Sequence, residues 1–355
     1  MKNSLQERAI IFLGACAGLE YRERASILRA AGDPARLLSE DTSFLSVLKE
    51  ERRSLFPAPQ NRQKEAEKLF AEFEKKGYFA ITVLSEDYPE ALKHIDEPPL
   101  VLFCAGRREL LKERKFCIVG SRMTPSWAEA LTKRIAGELT KHFVIVTGLA
   151  EGGDLAAIAG ARESGKLISV LPCGLNECYP AAHHTFKEAV KEQGLLVSEF
   201  PLDEKVRTYS FHARNRILAG LSEGVLVVSA GSRSGTSITA GKALDYGRDI
   251  FAFPYNAGAG QGAGCNELIK RGAQLVTCSE DILSFYGFDG ARAEAPALSE
   301  EEARLLAILR EGGELHTAVI AERMGIQVYE AAALLSSLEM KNLAVKAGGN
   351  RYSII

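Results

Sequence analysis

Paired cysteines are missing from this sequence. Its seven cysteines, Cys16, Cys104, Cys117, Cys173, Cys178, Cys265 and Cys278, form no C-x-x-C pair, and no histidine stands at ligand spacing from one. That spacing excludes a disulfide framework and a zinc site, and it points to reduced thiols in a cytoplasmic protein. An excess of either charge is missing too, since 44 Lys and Arg face 46 Asp and Glu for a net charge of −2. A uniformly basic coat for nucleic acid is therefore excluded, although a local basic site is not. No apolar run reaches the roughly 18 residues of a membrane span. Ala9–Leu19, which follows Lys2 and Arg8 and contains Ala15-Cys16-Ala17, imitates the apolar region of a signal peptide. Glu7 before it, and a helical pattern that continues through Glu20-Tyr21-Arg22-Glu23, make it a buried helix instead. Two nucleotide signatures are also lacking. Gly120-Ser121-Arg122-Met123 does not match G-x-G-x-x-G, and Ser234-Gly235-Thr236-Ser237 lacks the Gly-Lys pair of a Walker A loop.

What is present divides the 355 residues into three parts. Residues 1–70 read as a small helical domain. Ile10, Ile11, Leu13 and Ala17, then Ile27, Leu28, Leu37, Leu38, Phe44, Leu45 and Leu48, recur at helical spacing between Gly-Pro punctuation. Residues 75–288 read as α/β. Short apolar runs at Phe116–Val119, Val144–Thr147, Leu167–Leu171, Leu195–Ser198, Val225–Ser229 and Ile250–Phe253 alternate with helix-length segments such as Pro125–Lys141, Asp154–Ser164 and Ser237–Tyr246. That alternation predicts a doubly wound parallel sheet covered on both faces. Phe79–Val83 and Leu100–Cys104 are expected as edge strands or a preceding subdomain. Gly287–Pro296 reads as a linker. Residues 298–355 then suit three helices over 303–310, 317–323 and 328–341 and two short strands flanking Gly348-Gly349-Asn350, the order of a winged helix-turn-helix.

Ligands of an open parallel sheet bind outside the carboxyl ends of its strands. There this sequence places Gly120-Ser121-Arg122, Gly148 to Asp154, Cys173-Gly174, and Ala230 to Ser237, a segment that includes Arg233, Ser234, Gly235 and Thr236. Glycines allow close backbone approach, helix N-termini attract anions, hydroxyls donate, and Arg122 offers a planar fork. A single such glycine would mean a turn. Four such loops on one edge predict a phosphate-binding site. The run Thr208-Tyr209-Ser210-Phe211-His212-Ala213-Arg214-Asn215-Arg216 combines aromatic rings with arginines, the ingredients of single-strand binding. A helix N-terminus with a buried Phe and solvated arginines is the equal alternative.

These motifs carry a resemblance. Gly120-Ser121-Arg122, Thr147 to Asp154, Gly174 to Pro180, Ser198-Glu199-Phe200-Pro201, Phe211 to Ser222 and Ser234 to Ala240 resemble the DprA/Smf family in order and spacing. The resemblance implies an extended Rossmann-like core with an N-terminal helical (SAM-like) domain and a C-terminal winged helix. It further implies a dimer that binds and protects incoming single-stranded DNA in natural transformation and loads a RecA-type recombinase onto it, without catalysis or cofactor. It assigns DNA contact to Gly120, Ser121, Arg122, Gly148, Phe211, Arg214, Asn215, Arg216, Ser234, Gly235 and Thr236, with Phe211, Arg214 and Arg216 lining one pocket with Arg122. The sequence departs from the family pattern at Gly153 and Ile158, at Ser229 in Val227-Val228-Ser229-Ala230, and at Tyr255 after Phe253-Pro254.

No catalytic set is legible. Asp154 reads as a helix cap, Glu199 as an isolated acid at a strand end, and His183 and His184 as surface loop residues. The alternative is a Rossmann-type nucleotide-processing enzyme, because Ala230–Ala240 resembles the Gly-Thr core of LOG-like phosphoribohydrolases. The acid expected three residues after Thr236 is Thr239, which argues against hydrolysis. A third reading, a transcription regulator, is opposed by the winged-helix segment, whose eight acids outnumber six bases and whose recognition-helix position carries Glu330 and Glu339 with only Lys341. That module is expected to contact mainly protein.

Overall fold

In the computed structural model, residues 4–288 except Arg233 and residues 297–354 except Asn342 are described. Arg233 and positions 289–296 of the expected linker lie outside the described residues.

The central feature is a nine-stranded sheet. Its strands are β1 (Tyr78–Thr82), β2 (Val101–Gly106), β3 (Lys115–Gly120), β4 (Val144–Thr147), β5 (Leu167–Val170), β6 (Leu195–Ser198), β7 (Gly224–Ser229), β8 (Asp249–Ala252) and β9 (Gln274–Leu275). Their spatial order is β1-β2-β6-β5-β4-β3-β7-β8-β9. Neighbours from β6 through β9 pair parallel. The six expected core strands fall within two residues of their predicted bounds. β1 and β2 are antiparallel additions to the β6 edge of the same sheet, not a separate subdomain. β9, two residues long, gave no sequence signal.

The apolar runs explain the layers. Side chains alternate across a strand, so a strand apolar throughout needs cover on both sides. Phe116, Ile118, Leu226 and Val228 enter one buried cluster, and Cys117, Val119, Val225 and Val227 enter the other. From β3 the chain winds outward through β4 and β5 to β6, then returns past β3 to start β7. The winding reverses between β3 and β7, which is where an open sheet forms its ligand crevice.

The N-terminal helices are Leu5–Ala15, Tyr21–Ala31 and Pro59–Lys76, with the 3-10 helices Pro34–Leu38 and Ser43–Val47 and the one-turn helix Glu50–Arg53 between the last two. Ser4 and Glu7 close a capping box on the first. Ala9–Gly14 are buried, as expected, but the helix ends at Ala15 and a new one begins at Tyr21. A Cβ on Gly14 would lie 2.1 Å from Val101 Cγ1, so this helix rests on β2. The helix Pro59–Lys76 starts with proline and stops at Gly77 (φ 66°), so residue 70 falls inside it.

Near the C-terminus, helices Glu300–Gly312, Thr317–Met324 and Val328–Met340 enclose their own core with a small sheet. Its strands β10 (Leu315–His316), β11 (Ala344–Ala347) and β12 (Arg351–Ile354) are ordered β10-β12-β11. Ser299 caps the first of these helices through Glu302, as its sequence implies. No helix among the described residues is long and apolar enough to cross a membrane.

Candidate functional site

Two loops flank the reversal point. Gly120-Ser121-Arg122 leaves β3, and the segment from Ala230 leaves β7 to start the helix Gly235–Asp245. The third wall is the helix Thr208–Leu221, whose N-terminal turns lie at the same edge of the sheet. Together they enclose a cleft of about 420 Å³ lined by Gly120, Ser121, Arg122, Phe211, Arg214, Asn215, Ser234, Gly235 and Thr236. Nine of the eleven sequence-predicted residues therefore meet in one place.

The backbone approaches closely here. A Cβ on Gly120 would stand 2.8 Å from Gly153 Cα, and one on Gly153 would stand 2.6 Å from Gly120 Cα. Only glycine at both positions lets the β3 loop lie on the helix Gly153–Ala161. Gly152 has φ 79°, and its Cβ would meet the Ser121 carbonyl at 2.3 Å. Gly235 differs, because nothing lies within 4 Å of its Cβ position and it is exposed at the helix N-terminus. Backbone N–H groups there are open to an anion.

The serine hydroxyls are engaged. Ser121 Oγ bonds Ser229 Oγ at 2.7 Å, and the Ser121 amide donates to the Ser229 carbonyl at 3.0 Å. The departure at Ser229 thus ties the two loops together. Ser234 caps its helix by accepting from the Ser237 amide at 3.3 Å. Asn215 Nδ2 donates to the Gly235 carbonyl at 3.4 Å, joining the two helices. Tyr255 donates its hydroxyl to the Val228 carbonyl at 2.7 Å, and Ile158 is fully buried, so the other two departures are structural.

The charged groups take three positions. Arg122 is exposed, with its guanidinium carbon 5.8 Å from the Phe211 ring centroid. Phe211 is half-buried and meets Tyr179 edge-on at 5.6 Å. Arg214 is buried, donating to the Val170 carbonyl at 2.7 Å and to Asn215 Oδ1 at 3.1 Å. Asp154 lies close by. A Cβ on Gly148 would stand 2.3 Å from Asp154 Oδ2 and 2.4 Å from Arg214 Nη1, so Gly148 is the gap in which these two side chains converge. Burial pushes the Asp154 carboxyl up, while Arg214 and the amides of Ala150 and Gly120 pull it back.

Several expectations are corrected. Arg216 does not share the cleft with Arg122 and Arg214. Two helical positions turn by about 200°, so Arg216 points to the opposite side of its helix. There it pairs with Glu199 in a buried salt bridge. Glu199 is therefore a structural partner and not a free acid. Asp154 does not cap its own helix, whose N-cap is Gly152. It instead accepts from Ala150 (3.2 Å) and Gly120 (3.4 Å). His183 is not on the surface but buried, with Nδ1 2.8 Å from the Leu149 carbonyl, whereas His184 is exposed as expected. Tyr179 and Asp154 were missed as site residues. The run Gly174 to Pro180, already part of the resemblance, was the available signal for Tyr179, and the glycines around Asp154 were the signal for that acid.

The family model for DNA recombination-mediator protein A matches residues 79–287, which span this cleft and the whole sheet beyond β1's first residue. The chain belongs to this family. It is 39% identical over 221 residues to DNA processing protein DprA of Streptococcus pneumoniae strain R6, covering 62% of this chain and 78% of that protein. It is 36% identical over 308 residues to protein Smf of Escherichia coli K12, covering 81% and 80%. The X-ray structure of Streptococcus pneumoniae DprA superposes with a TM-score of 0.67 at 31% identity, covering 80% of this chain and 98% of that one. DNA processing protein A from Helicobacter pylori, solved to describe its single-stranded DNA binding mode, superposes with a TM-score of 0.55 at 31% identity, covering 59% and 95%. In this member of the recombination-mediator family the core is thus α/β and Rossmann-like.

Proposed function

We propose that the cleft between β3 and β7 binds single-stranded DNA, and that the chain protects incoming strands in natural transformation and loads a RecA-type recombinase onto them. The observation that carries this reading is the exposed Arg122 set over the Phe211 ring, at the mouth of a cleft floored by glycines and a helix N-terminus. A cation for phosphate beside a ring for a base is what a single strand needs and a duplex does not. The single-strand binding mode described for the Helicobacter pylori relative supports it. Recombinase loading rests on the family resemblance.

The protein acts without catalysis in this reading. A phosphoribohydrolase needs a carboxylate free to work in the cleft. Thr239 occupies the position where its acid is expected, Glu199 is held by Arg216, and Glu223 is held by Arg114. Asp154, the carboxylate that lines the cleft, is buried beneath two backbone amides.

We assign three working units, 1–70, 75–288 and 298–355, in a cytoplasmic homodimer. Exposed Leu244, Leu275 and Phe285 cluster about the edge strand β9 and suit a second copy. The C-terminal unit suits a protein partner. Its helix Val328–Met340 exposes Val328, Tyr329 and Met340 beside Glu330 and Glu339. Filter binding of single-stranded DNA, duplex DNA and nucleoside monophosphates, with analysis for released base, tests the whole reading. Preference for the single strand without base release is expected. Tight monophosphate binding with released base would replace it with the hydrolase.

A further inference from the structure

Across the helix Thr208–Leu221 from the phosphate cleft lies a second cavity of about 390 Å³. Its walls come from parts far apart in sequence: the segment Gly18–Arg24, the turn after β6, and the Tyr209, Ala213 and Arg216 side of the helix. No part of the function proposed above uses it.

Its chemistry differs from that of the first cleft. Leu19 and Phe200 form an apolar floor, each less than a tenth exposed. Two tyrosines stand over it. Tyr21 is half-buried, with the Arg216 guanidinium carbon 5.5 Å from its ring centroid, and Tyr209 is 51% exposed. Arg24 and Arg216 are 8% and 5% exposed. Arg24 donates through Nη2 to the Cys16 carbonyl at 3.0 Å, and Arg216 donates through Nη2 to Glu199 at 2.5 Å. The other N–H groups of both guanidiniums have no acceptor among the described residues, and Arg24 Nε and Arg216 Nη1 are enclosed as well. Buried donors of this kind call for an acceptor.

Charge decides which acceptor. Arg22 is paired with Glu97, Arg216 with Glu199, and Glu204 with Arg207, while Glu20 adds a further acid beside Arg24, so no excess of positive charge is left to hold a phosphate dianion. A neutral, planar group that carries carbonyl oxygens needs no such excess. It can stack on a tyrosine face and accept from the arginines, and an oxo-bearing nucleobase has both properties. We propose that this cavity is a second ligand site that takes one oxo-bearing nucleobase, such as thymine or uracil. The base comes either from a free nucleoside or from the strand held in the first cleft. Only the latter source rests on the strand-binding reading.

Photo-crosslinking of the full chain tests this. The probes are 5-iodo-2′-deoxyuridine as a free nucleoside and the same residue placed within an oligodeoxythymidylate, with adducts mapped by mass spectrometry. Adducts are expected on Tyr21 or Tyr209, competed by thymidine and not by inorganic phosphate. Adduct yield falls about tenfold in Arg24→Met, the loss expected for a charge-assisted hydrogen bond. Tyr209→Ala, which removes a half-exposed ring and leaves the core intact, loses the Tyr209 adduct and weakens that on Tyr21. Adducts from the nucleoside alone name a free ligand as the source, and adducts from the oligomer alone name the strand. Either supports the site. Failure of the oligomer to bind at all sinks the strand reading, and the nucleoside then decides this one. Adducts confined to Phe211 and Tyr179, no adducts with either probe, competition by phosphate, or yields unchanged in both variants would overturn the proposal.

Discussion

The two faces of the helix Thr208–Leu221 teach different lessons about arginine. On one face Arg122 is exposed, leans on Phe211 and stands among glycines and a helix N-terminus. On the other, Arg216 is sealed against Glu199 among tyrosines and apolar side chains. The first arrangement leaves its cation open to solvent, and the second pairs its charge with Glu199 inside the protein while some of its N–H groups stay unpaired. Arg214 is intermediate: it lines the open cleft yet is buried, with Asp154 as its nearby counter-charge. Such layering leaves one cation exposed at the mouth and uses the next to brace the floor.

The contrast can be broken most directly at Arg216. Arg216→Met leaves Glu199 buried without its partner, and loss of one member of such a pair costs about 3–5 kcal/mol. Urea denaturation is expected to show that loss, with the salt dependence of strand binding by the folded fraction unchanged. A variant as stable as its parent that binds DNA poorly would move Arg216 to the DNA side and erase the comparison.

Gly148→Ala sharpens it next. The added methyl has to displace Asp154 or Arg214, an overpacking that costs about 1–3 kcal/mol. Lower stability together with weaker strand binding is expected, because the floor and the cleft move together. Retained affinity at reduced stability would separate brace from binding site.

Phe211→Ala probes the open side alone. If the ring stacks a base, affinity for single strands drops by about 1–3 kcal/mol in a titration at fixed salt. Unchanged affinity would make Phe211 a packing residue for Tyr179.

Arg122→Ala is expected to give the smallest effect. Its side chain is exposed, so the melting temperature should stay put. The slope of log affinity against log salt should fall by about 0.7, the value for one single-strand phosphate contact. Identical slopes for parent and variant would remove Arg122 from the phosphate path.

Much of this was legible before any coordinates. Apolar runs such as Val-Leu-Val-Val at 225–228 allow only a strand covered on both faces, and the glycine-rich segments after 119 and 229 had to emerge at one edge. The antiparallel addition of β1 and β2 was harder to read, because β1 joins the sheet only through β2, and the partner of β2, β6, lies about ninety residues away. The two-residue β9 carries too little pattern for any periodicity to register. At the site, Asp154 looked like a cap because an acid near a helix start usually is one. Its true partners, the amides of Gly120 and Ala150 and the guanidinium of Arg214, are set by how three strand ends converge.

The alternation of strands and helices along the chain, the placement of glycines and hydroxyls at one rim, and the family membership follow from residue types and their spacing, because periodicity and turn chemistry act over a few neighbours. Folding alone settled that Arg214 and Arg216 part company, and that Arg24 and Arg216, nearly two hundred residues apart, line one cavity. The first depends on a helix turning by about 100° per residue against a fixed sheet. The second depends on two distant segments burying their apolar sides together, which no short stretch of chain encodes.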